Sequence, residues 1–277
     1  MRTIVHLSDL HFGRVDPRIL PPLLGAVTAA QPDLVVVSGD FTQRARVQEF
    51  KDAARFLAAL PGPRLLVPGN HDVPLYDIMR RWLAPLQRYR RYISVDLAPF
   101  YADAEIAVLG VNTARALTFK NGRINQAQLA VVTERLATFD PGVTRIVVTH
   151  HPFDAPDPVG LGAKPLHGVV GRAQMVMAGF LQSRVDMILS GHLHVSHIGR
   201  TAQRYPMSGR SALLIQAGTA TSTRKRGEVN AFNIVRIARP ETTVACMVWD
   251  GASAGFRQAS IERFAETEAG WSRLDAA

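Results

Sequence analysis

The stretch Thr3-Ile4-Val5-His6-Leu7-Ser8-Asp9-Leu10-His11-Phe12-Gly13 decides how the chain reads. A short run rich in β-branched and aliphatic residues predicts a strand, and a polar Asp-x-His follows at its carboxyl end. The pattern then recurs. Leu34 to Val37 is followed by Gly39-Asp40, and Arg64 to Val67 by Gly69-Asn70-His71-Asp72. Arg145 to Val148 is followed by Thr149-His150-His151-Pro152, and Met187 to Leu189 by Gly191-His192-Leu193-His194. Ligand sites of α/β sheets lie outside the carboxyl ends of the strands, so five strand ends deliver Asp, Asn and His side chains to one edge.

Between the strands lie segments with apolar residues at helical spacing: Pro17 to Ala30, Val47 to Leu60, Leu75 to Tyr92, Gln126 to Phe139 and Arg172 to Ser183. Strand and helix in alternation imply an α/β class of layered fold. Ile106 to Val111 is a further strand without a ligand motif. Leu213 to Gln216, Phe232 to Ile237 and Thr243 to Val248 have no helix between them and read as antiparallel strands finishing a sheet. The expected product is two sheets flanked by helices. With no repeat and no linker, residues 1–277 read as one domain, with the motifs in 3–219 and C-terminal strands and tail in 230–277. The tail after Phe264 is polar and reads as a fraying end. Pro152 to Gly171, rich in Pro and Gly and without periodicity, reads as a long loop that walls the site.

The apolar fraction is 47%, with 12 Phe and 3 Trp among 277 residues, which is enough for a sizeable core and argues against disorder. The formal net charge of +9 suits nucleic acid, an anionic membrane or an anionic small substrate. The charge is nearly all arginine and scattered, however, and genome composition explains it equally well. The dense cluster Arg80, Arg81, Arg88, Arg90 and Arg91 shares its helical segment with Trp82, Leu83, Leu86 and Tyr89, so a solvated helix face is the default reading. Cys246 is the sole cysteine, which excludes an intrachain disulfide, and its run Val244 to Val248 suggests a small buried residue. Nothing resembles a signal peptide, and no run reaches the roughly 18–20 apolar residues of a membrane span, so the expected location is the cytoplasm.

Carboxylate, amide and imidazole donors without thiolate suit Zn, Mn or Fe and argue against a structural zinc site. One carboxylate can bridge two cations. Two cations about 3.5–4 Å apart can activate a water and clamp both sides of a phosphoryl displacement. Glycines precede Asp40, Asn70 and His192, where the backbone has to turn sharply.

In that order, Asp-x-His, Gly-Asp, Gly-Asn-His-Asp, His and Gly-His-x-His resemble the calcineurin-like metallophosphoesterases. Ser8-Asp9-Leu10-His11-Phe12-Gly13 looks most like their class III cyclic nucleotide phosphodiesterase branch, and the resemblance covers Thr3 to Thr219. It implies a four-layer αββα sandwich and two divalent or trivalent metal ions (Mn, Fe or Zn). One ion is then expected on Asp9, His11, Asp40 and His194, and the other on Asp40, Asn70, His150 and His192, with Asp40 the bridge. The resemblance makes His71 the catalytic residue near the leaving group and Asp72 the residue that orients it. His6, His151, His167 and His197 match no ligand position and read as structural, His151 as a contact behind the ligands.

The implied activity is hydrolysis of phosphodiester bonds in a small phosphorylated substrate such as a 3',5'-cyclic nucleotide. A phosphomonoesterase, a pyrophosphatase on a nucleotide-linked lipid and a nuclease stay open. A non-catalytic metal-binding scaffold is disfavoured, because His71 and every ligand are present. A lipid substrate would favour an amphipathic flap, which the Leu75 to Tyr92 segment can supply. A homo-oligomer is compatible with all of these. Arg14, Asn112, Arg115, Lys164, His167, Arg172 and the segment Thr221-Ser222-Thr223-Arg224-Lys225-Arg226 read first as surface groups and second as substrate contacts.

Overall fold

The computed structural model describes residues 1–154, 168–205, 210–223 and 228–274. The first half of the chain runs β1 (Arg2–Leu7), α1 (Leu20–Ala29), β2 (Leu34–Val37), α2 (Val47–Ala59), β3 (Arg64–Leu66), α3 (Ile78–Leu83), α4 (Gln87–Tyr92), β4 (Phe100–Ala102), β5 (Ile106–Gly110), β6 (Gly122–Arg123) and α5 (Gln126–Ala137). The second half runs β7 (Thr144–Val148), β8 (Val170–Gly171), α6 (Ala173–Gln182), β9 (Met187–Ser190), β10 (His197–Arg200), β11 (Leu213–Gln216), β12 (Ala231–Ala238), β13 (Glu241–Asp250), β14 (Gly255–Thr267) and β15 (Gly270–Leu274). Seven strands form one sheet in the order β15-β14-β13-β12-β1-β2-β3, and six form another in the order β10-β11-β9-β7-β5-β4. Both are mixed: β1 is parallel to β2 and antiparallel to β12, and β11 is parallel to β9 and antiparallel to β10.

Alternation along the strands sorts side chains into three apolar layers. Ile4, Leu34 and Val36 of the first sheet meet Val108, Ile146, Leu189 and Ile215 of the second. The other face of the first sheet, with Val5, Leu7, Val35 and Val37, packs on Leu23 and Val27 of α1 and Phe50 and Phe56 of α2. The other face of the second sheet, with Leu109 and Val147, packs on Val132 and Leu136 of α5 and Val176 and Phe180 of α6. The central strands are therefore buried on both faces, which is why they read as continuous apolar runs. The result is the four-layer αββα sandwich. His6 shares the inter-sheet side with Ile4 and is fully buried, its Nε2 2.9 Å from Ser38 Oγ.

Four expectations need correction. Leu75 to Tyr92 is not one helix. Proline removes a backbone donor and disfavours a helical conformation in the residue before it, and here Pro85 separates α3 from α4, with Ala84 at φ −151°. Leu213 to Gln216 does not join the closing antiparallel strands but lies in the second sheet, parallel to β9. The stretch after Phe264 is ordered as far as Leu274 rather than frayed: β14 continues to Thr267, β15 pairs with it, and Trp271 is buried with its Nε1 donating to Asp186 Oδ1 at 3.1 Å. Cys246, on β13, is only half-buried. Among the described residues no helix is long and apolar enough to cross a membrane.

Candidate metal centre

The loops after β1, β2, β3, β7 and β9 meet at one edge of the sandwich and are tied together through their backbones. Asp9 N donates to Gly39 O at 3.1 Å, His11 N to Asp40 O at 2.8 Å and Gly191 N to His150 O at 3.0 Å. His192 N donates to Asp9 Oδ2 at 2.8 Å and so joins the second sheet to the first. Ser8 Oγ holds the same Asp9 oxygen at 2.7 Å, and Thr219 Oγ1 donates to the Asp9 carbonyl at 2.7 Å. Neither supporting hydroxyl was read from the sequence. Ser8 was visible in its motif, but Thr219 lies far along the chain with no local signal.

Five of the candidate ligands have left-handed backbones: Asp9 (φ 52°), His11 (φ 50°), Asp40 (φ 53°), His192 (φ 75°) and His194 (φ 62°). Such residues cost about 1–3 kcal/mol each and persist where the surroundings enforce them. The glycines act mainly by making room. A Cβ on Gly69 would lie 2.1 Å from Asp40 Oδ1, and one on Gly191 would lie 1.8 Å from Ser8 Oγ.

The side chains converge in two groups. In the first, Nε2 of His11 and His194 lie 3.0 Å apart, and Asp9 Oδ1 faces them at 3.5 and 3.2 Å. Asp40 Oδ2 completes that group, 3.6 Å from His11 Nε2. In the second, His150 Nε2 lies 3.4 Å from Asp40 Oδ1, 3.0 Å from Asn70 Oδ1 and 3.2 Å from His192 Nδ1. Asp40 thus places one oxygen in each group. His150 Nδ1 donates to Ser38 O at 2.8 Å, which fixes the tautomer and leaves Nε2 as the donor atom for a cation. Asp9 Oδ1 is buried and meets imidazole nitrogens rather than a conventional hydrogen-bond donor. Converging lone pairs on buried oxygens and nitrogens are a poor arrangement for one another and a good one for cations.

Charge follows the same logic. Burial would raise Asp9, but the His194 charge and bonds from His11 and His194 hold its carboxyl well below the usual range. Asp40 is also held low: burial opposes ionisation, and the charges of His150 and His71 outweigh it. Burial, with the charge of His150, pushes His192 down to about 3, so its imidazole is neutral at ordinary pH. His150 is raised to about 9, because Asp40 overcomes the effect of burial. A cation in the second group would take the place of that proton.

His71 borders the same centre. Its backbone N donates to Asp40 Oδ1 at 2.8 Å, and its ring stands edge-on to His11 with centroids 4.9 Å apart. The expectation that Asp72 orients this imidazole needs correction. His71 Nδ1 lies 2.8 Å from the Gln43 carbonyl, and donation to that oxygen turns Nε2 to the opposite side. Asp72 instead accepts from Gly69 N at 2.9 Å, Thr42 N at 2.9 Å and Thr42 Oγ1 at 3.0 Å, stitching the β2 and β3 loops together. Burial, then the Asp40 charge, raises Asp72 to about 7 against these bonds.

A cavity of about 400 Å³ opens over Asn70, His71 and His192, with Gln43, Arg44, Phe119 and Lys120 on its walls. Arg44 and Lys120 are cations beside the donors that the sequence did not single out, since they sit on loops without motif. His151 stands beside the donors: its Nδ1 is 2.8 Å from Thr113 Oγ1, its ring centroid is 4.6 Å from that of His192, and one of its ring nitrogens lies within 4.8 Å of ligand atoms of His150 and His192. Asn112 and Arg115 line a separate cavity of about 780 Å³. Arg14 and Arg172 are exposed. Lys164, His167 and residues 224–226 lie outside the described residues, as does most of Pro152 to Gly171.

Comparison with known proteins gives the same picture. A cAMP/cGMP dual specificity phosphodiesterase of Mycobacterium tuberculosis is 27% identical over 88% of this chain and 78% of its own length. A glycerophosphodiester phosphodiesterase of Enterobacter lignolyticus is 38% identical over 25% of this chain, and a UDP-2,3-diacylglucosamine pyrophosphatase of Chlamydia muridarum is 36% identical over 26%. These two matches span only 29% and 23% of those relatives. Among solved structures, a purple acid phosphatase from yellow lupin superposes with a TM-score of 0.66 at 12% identity, over 95% of this chain and 53% of its own, which is likeness of fold. The family model for calcineurin-like phosphoesterase matches residues 2–196. With its strand-end motifs converging at one edge of an αββα sandwich, the chain belongs to the calcineurin-like phosphoesterases and resembles their class III cyclic nucleotide phosphodiesterases.

Proposed function

We propose that the protein hydrolyses small phosphodiesters, 3',5'-cyclic nucleotides first among them, with two metal ions. Asp9, His11, Asp40 and His194 would hold one ion, and Asp40, Asn70, His150 and His192 the other. The observation that carries this reading is the division of Asp40, with Oδ2 in one donor group and Oδ1 in the other. Bound there, Mn, Fe or Zn ions would supply an activated water and charge for the phosphoryl oxygens. The chain does the rest. Arg44 and Lys120 line the cavity and can attract and orient the anionic ester. His71, its Nδ1 proton directed to Gln43 O, can present Nε2 to the leaving oxygen as a general acid. Asp72 holds the Gly69–Asp72 turn against Thr42 and so keeps Asn70 and His71 in place. A cavity of about 400 Å³ fits a small ligand. We further propose that residues 1–277 act as one domain in the cytoplasm, with β12 to β15 closing the first sheet.

A second reading, pyrophosphate cleavage on a nucleotide-linked lipid, is favoured by the exposed apolar residues of α3, the helix whose Arg81 lines the cavity. The test is metal-reconstituted protein on a panel of cyclic nucleotides, linear diesters, monoesters, a nucleotide-linked lipid and single-stranded DNA, with elemental analysis alongside. Two ions per chain and fastest turnover of a cyclic nucleotide are expected. A saturated protein with one ion, or a monoester as the best substrate, overturns the proposal.

A further inference from the structure

Helix α3 is inside out. Ile78, Met79, Trp82 and Leu83 face solvent, with Met79 74% and Leu83 78% exposed, whereas Arg81 is only 4% exposed. A surface helix ordinarily does the reverse. The inversion is locked, because Arg81 donates to the carbonyls of Pro74 at 3.0 Å, Ala116 at 2.8 Å and Thr118 at 3.1 Å. Rotating the helix to bury its apolar side would leave three carbonyls short of a donor. The neighbouring loop extends the apolar surface. Exposed Leu117 shares a cavity with Leu83, and exposed Phe119 lies over the Arg81 guanidinium, 4.0 Å from centre to ring.

Cations surround this surface. Arg90 lines the cavity shared by Leu83 and Leu117, Arg44 stands over the exposed Tyr76 ring at 5.6 Å, and Lys120 follows Phe119. Asp77 is the sole acid between residues 73 and 92, and it is engaged by Arg80 at 3.0 Å and Arg88 at 3.8 Å.

We propose that this surface docks the protein on an anionic lipid bilayer, with the apolar side of α3 in the headgroup boundary and the cations on lipid phosphates. Exposed apolar patches of this kind mark interaction sites, and apolar side chains with a basic rim suit the interface of an anionic membrane. A second copy fits less well. A two-fold contact through α3 would set Arg90 and Lys120 near their own copies, and like charges in juxtaposition are costly. Nucleic acid would answer the cations and leave Ile78, Met79 and Leu83 without an apolar partner. The inference does not depend on which ester is hydrolysed. Because the metal cavity has Arg81 and Phe119 on its wall, docking would bring it to the level of the headgroups.

The test is co-sedimentation of the full chain with vesicles of equal parts phosphatidylglycerol and phosphatidylcholine, against phosphatidylcholine alone. Binding is expected to the anionic vesicles, and to weaken as salt is raised. Met79→Glu combined with Leu83→Glu should abolish it. Arg90→Gln should weaken it about fivefold, the usual worth of one basic residue at such a surface. Both variants should turn over a soluble nitrophenyl diester at the parent rate, since these side chains lie outside the metal site. No sedimentation with anionic vesicles, or unchanged sedimentation of the double Glu variant, overturns the proposal. So does a dimer, or retention of single-stranded DNA, that the double Glu variant loses while vesicle binding stays intact.

Discussion

The side-chain amide of Asn70 donates to the backbone carbonyl of Phe119 at 3.2 Å, and this bond decides which end of the amide faces His150. With Nδ2 held, Oδ1 is the atom 3.0 Å from His150 Nε2. The carbonyl is itself placed by Arg81, which pins Ala116 and Thr118 of the same loop. Arg81→Met should therefore free the loop and let the amide turn. Affinity for the second ion is expected to fall about 10–100-fold, the usual effect of losing a support behind a ligand, while the first ion is held normally. Two-site calorimetric titration of Mn²⁺ into metal-free protein measures this. Equal weakening of both sites would mean that Arg81 supports the fold at large rather than Asn70.

Asp40→Asn keeps the shape of the side chain and removes the charge shared between the two donor groups. Turnover of a diester should drop by about 10³-fold or more, in line with loss of a central electrostatic group, and elemental analysis should find fewer than two ions. Retention of both ions with near-parent turnover would show that Asp40 is not the bridge.

His71→Ala separates two roles. As a general acid, His71 matters when the leaving oxygen is a strongly basic alkoxide and hardly at all for nitrophenolate. The loss in kcat/KM is expected to be about 10²–10⁴-fold for alkyl diesters and far smaller for nitrophenyl diesters. Equal losses on the two series, with metal content intact, would leave an electrostatic role alone.

Much of this centre was legible because each motif sits directly after an apolar run, and runs buried on both faces are easy to read. Asp9, His11, Asp40, Asn70, His150, His192 and His194 all come together as the order of their motifs implied. What failed has physical reasons. The stretch after Phe264 read as a loose tail because Glu266, Thr267, Glu268, Ser272 and Arg273 leave Trp271 as its lone large apolar residue before Leu274, and the pocket that buries Trp271 is built by strands distant in sequence. The family resemblance implied that Asp72 orients His71, whereas the chain path brings Thr42 to it from 30 residues away. Arg81 looked like one of five surface arginines, since three backbone carbonyls leave no trace in sequence.

His6 gives the protein an acid-sensitive element between the sheets. Burial lowers its pKa from 6.5 to about 3, against a raising influence from Asp9. Between those values the unfolded chain binds the proton and the folded chain does not, so stability falls as pH drops below 6.5. The slope from this one group is about 1.4 kcal/mol per pH unit. Above 6.5 its contribution is constant. His6→Gln, which keeps a polar group near Ser38, should remove that slope. Urea unfolding at several pH values from 6 to 4 should show the difference between parent and variant changing steadily. A difference independent of pH would mean that His6 is protonated in the folded state.

The left-handed backbones at Asp9, His11, Asp40, His192 and His194 are a cost that the chain carries in advance of any cation. In metal-free protein the carboxylates are steadied by the imidazoles around them: against the effect of burial, Asp40 is held low by His150 and His71, and His150 is raised by Asp40. Asp40→Asn gives up that pairing, so in metal-free protein it should melt below the parent, besides failing when metal is supplied. Charge is thus the mortar of a strained edge before it is a tool of catalysis, and a change that spoils the chemistry here loosens the chain as well.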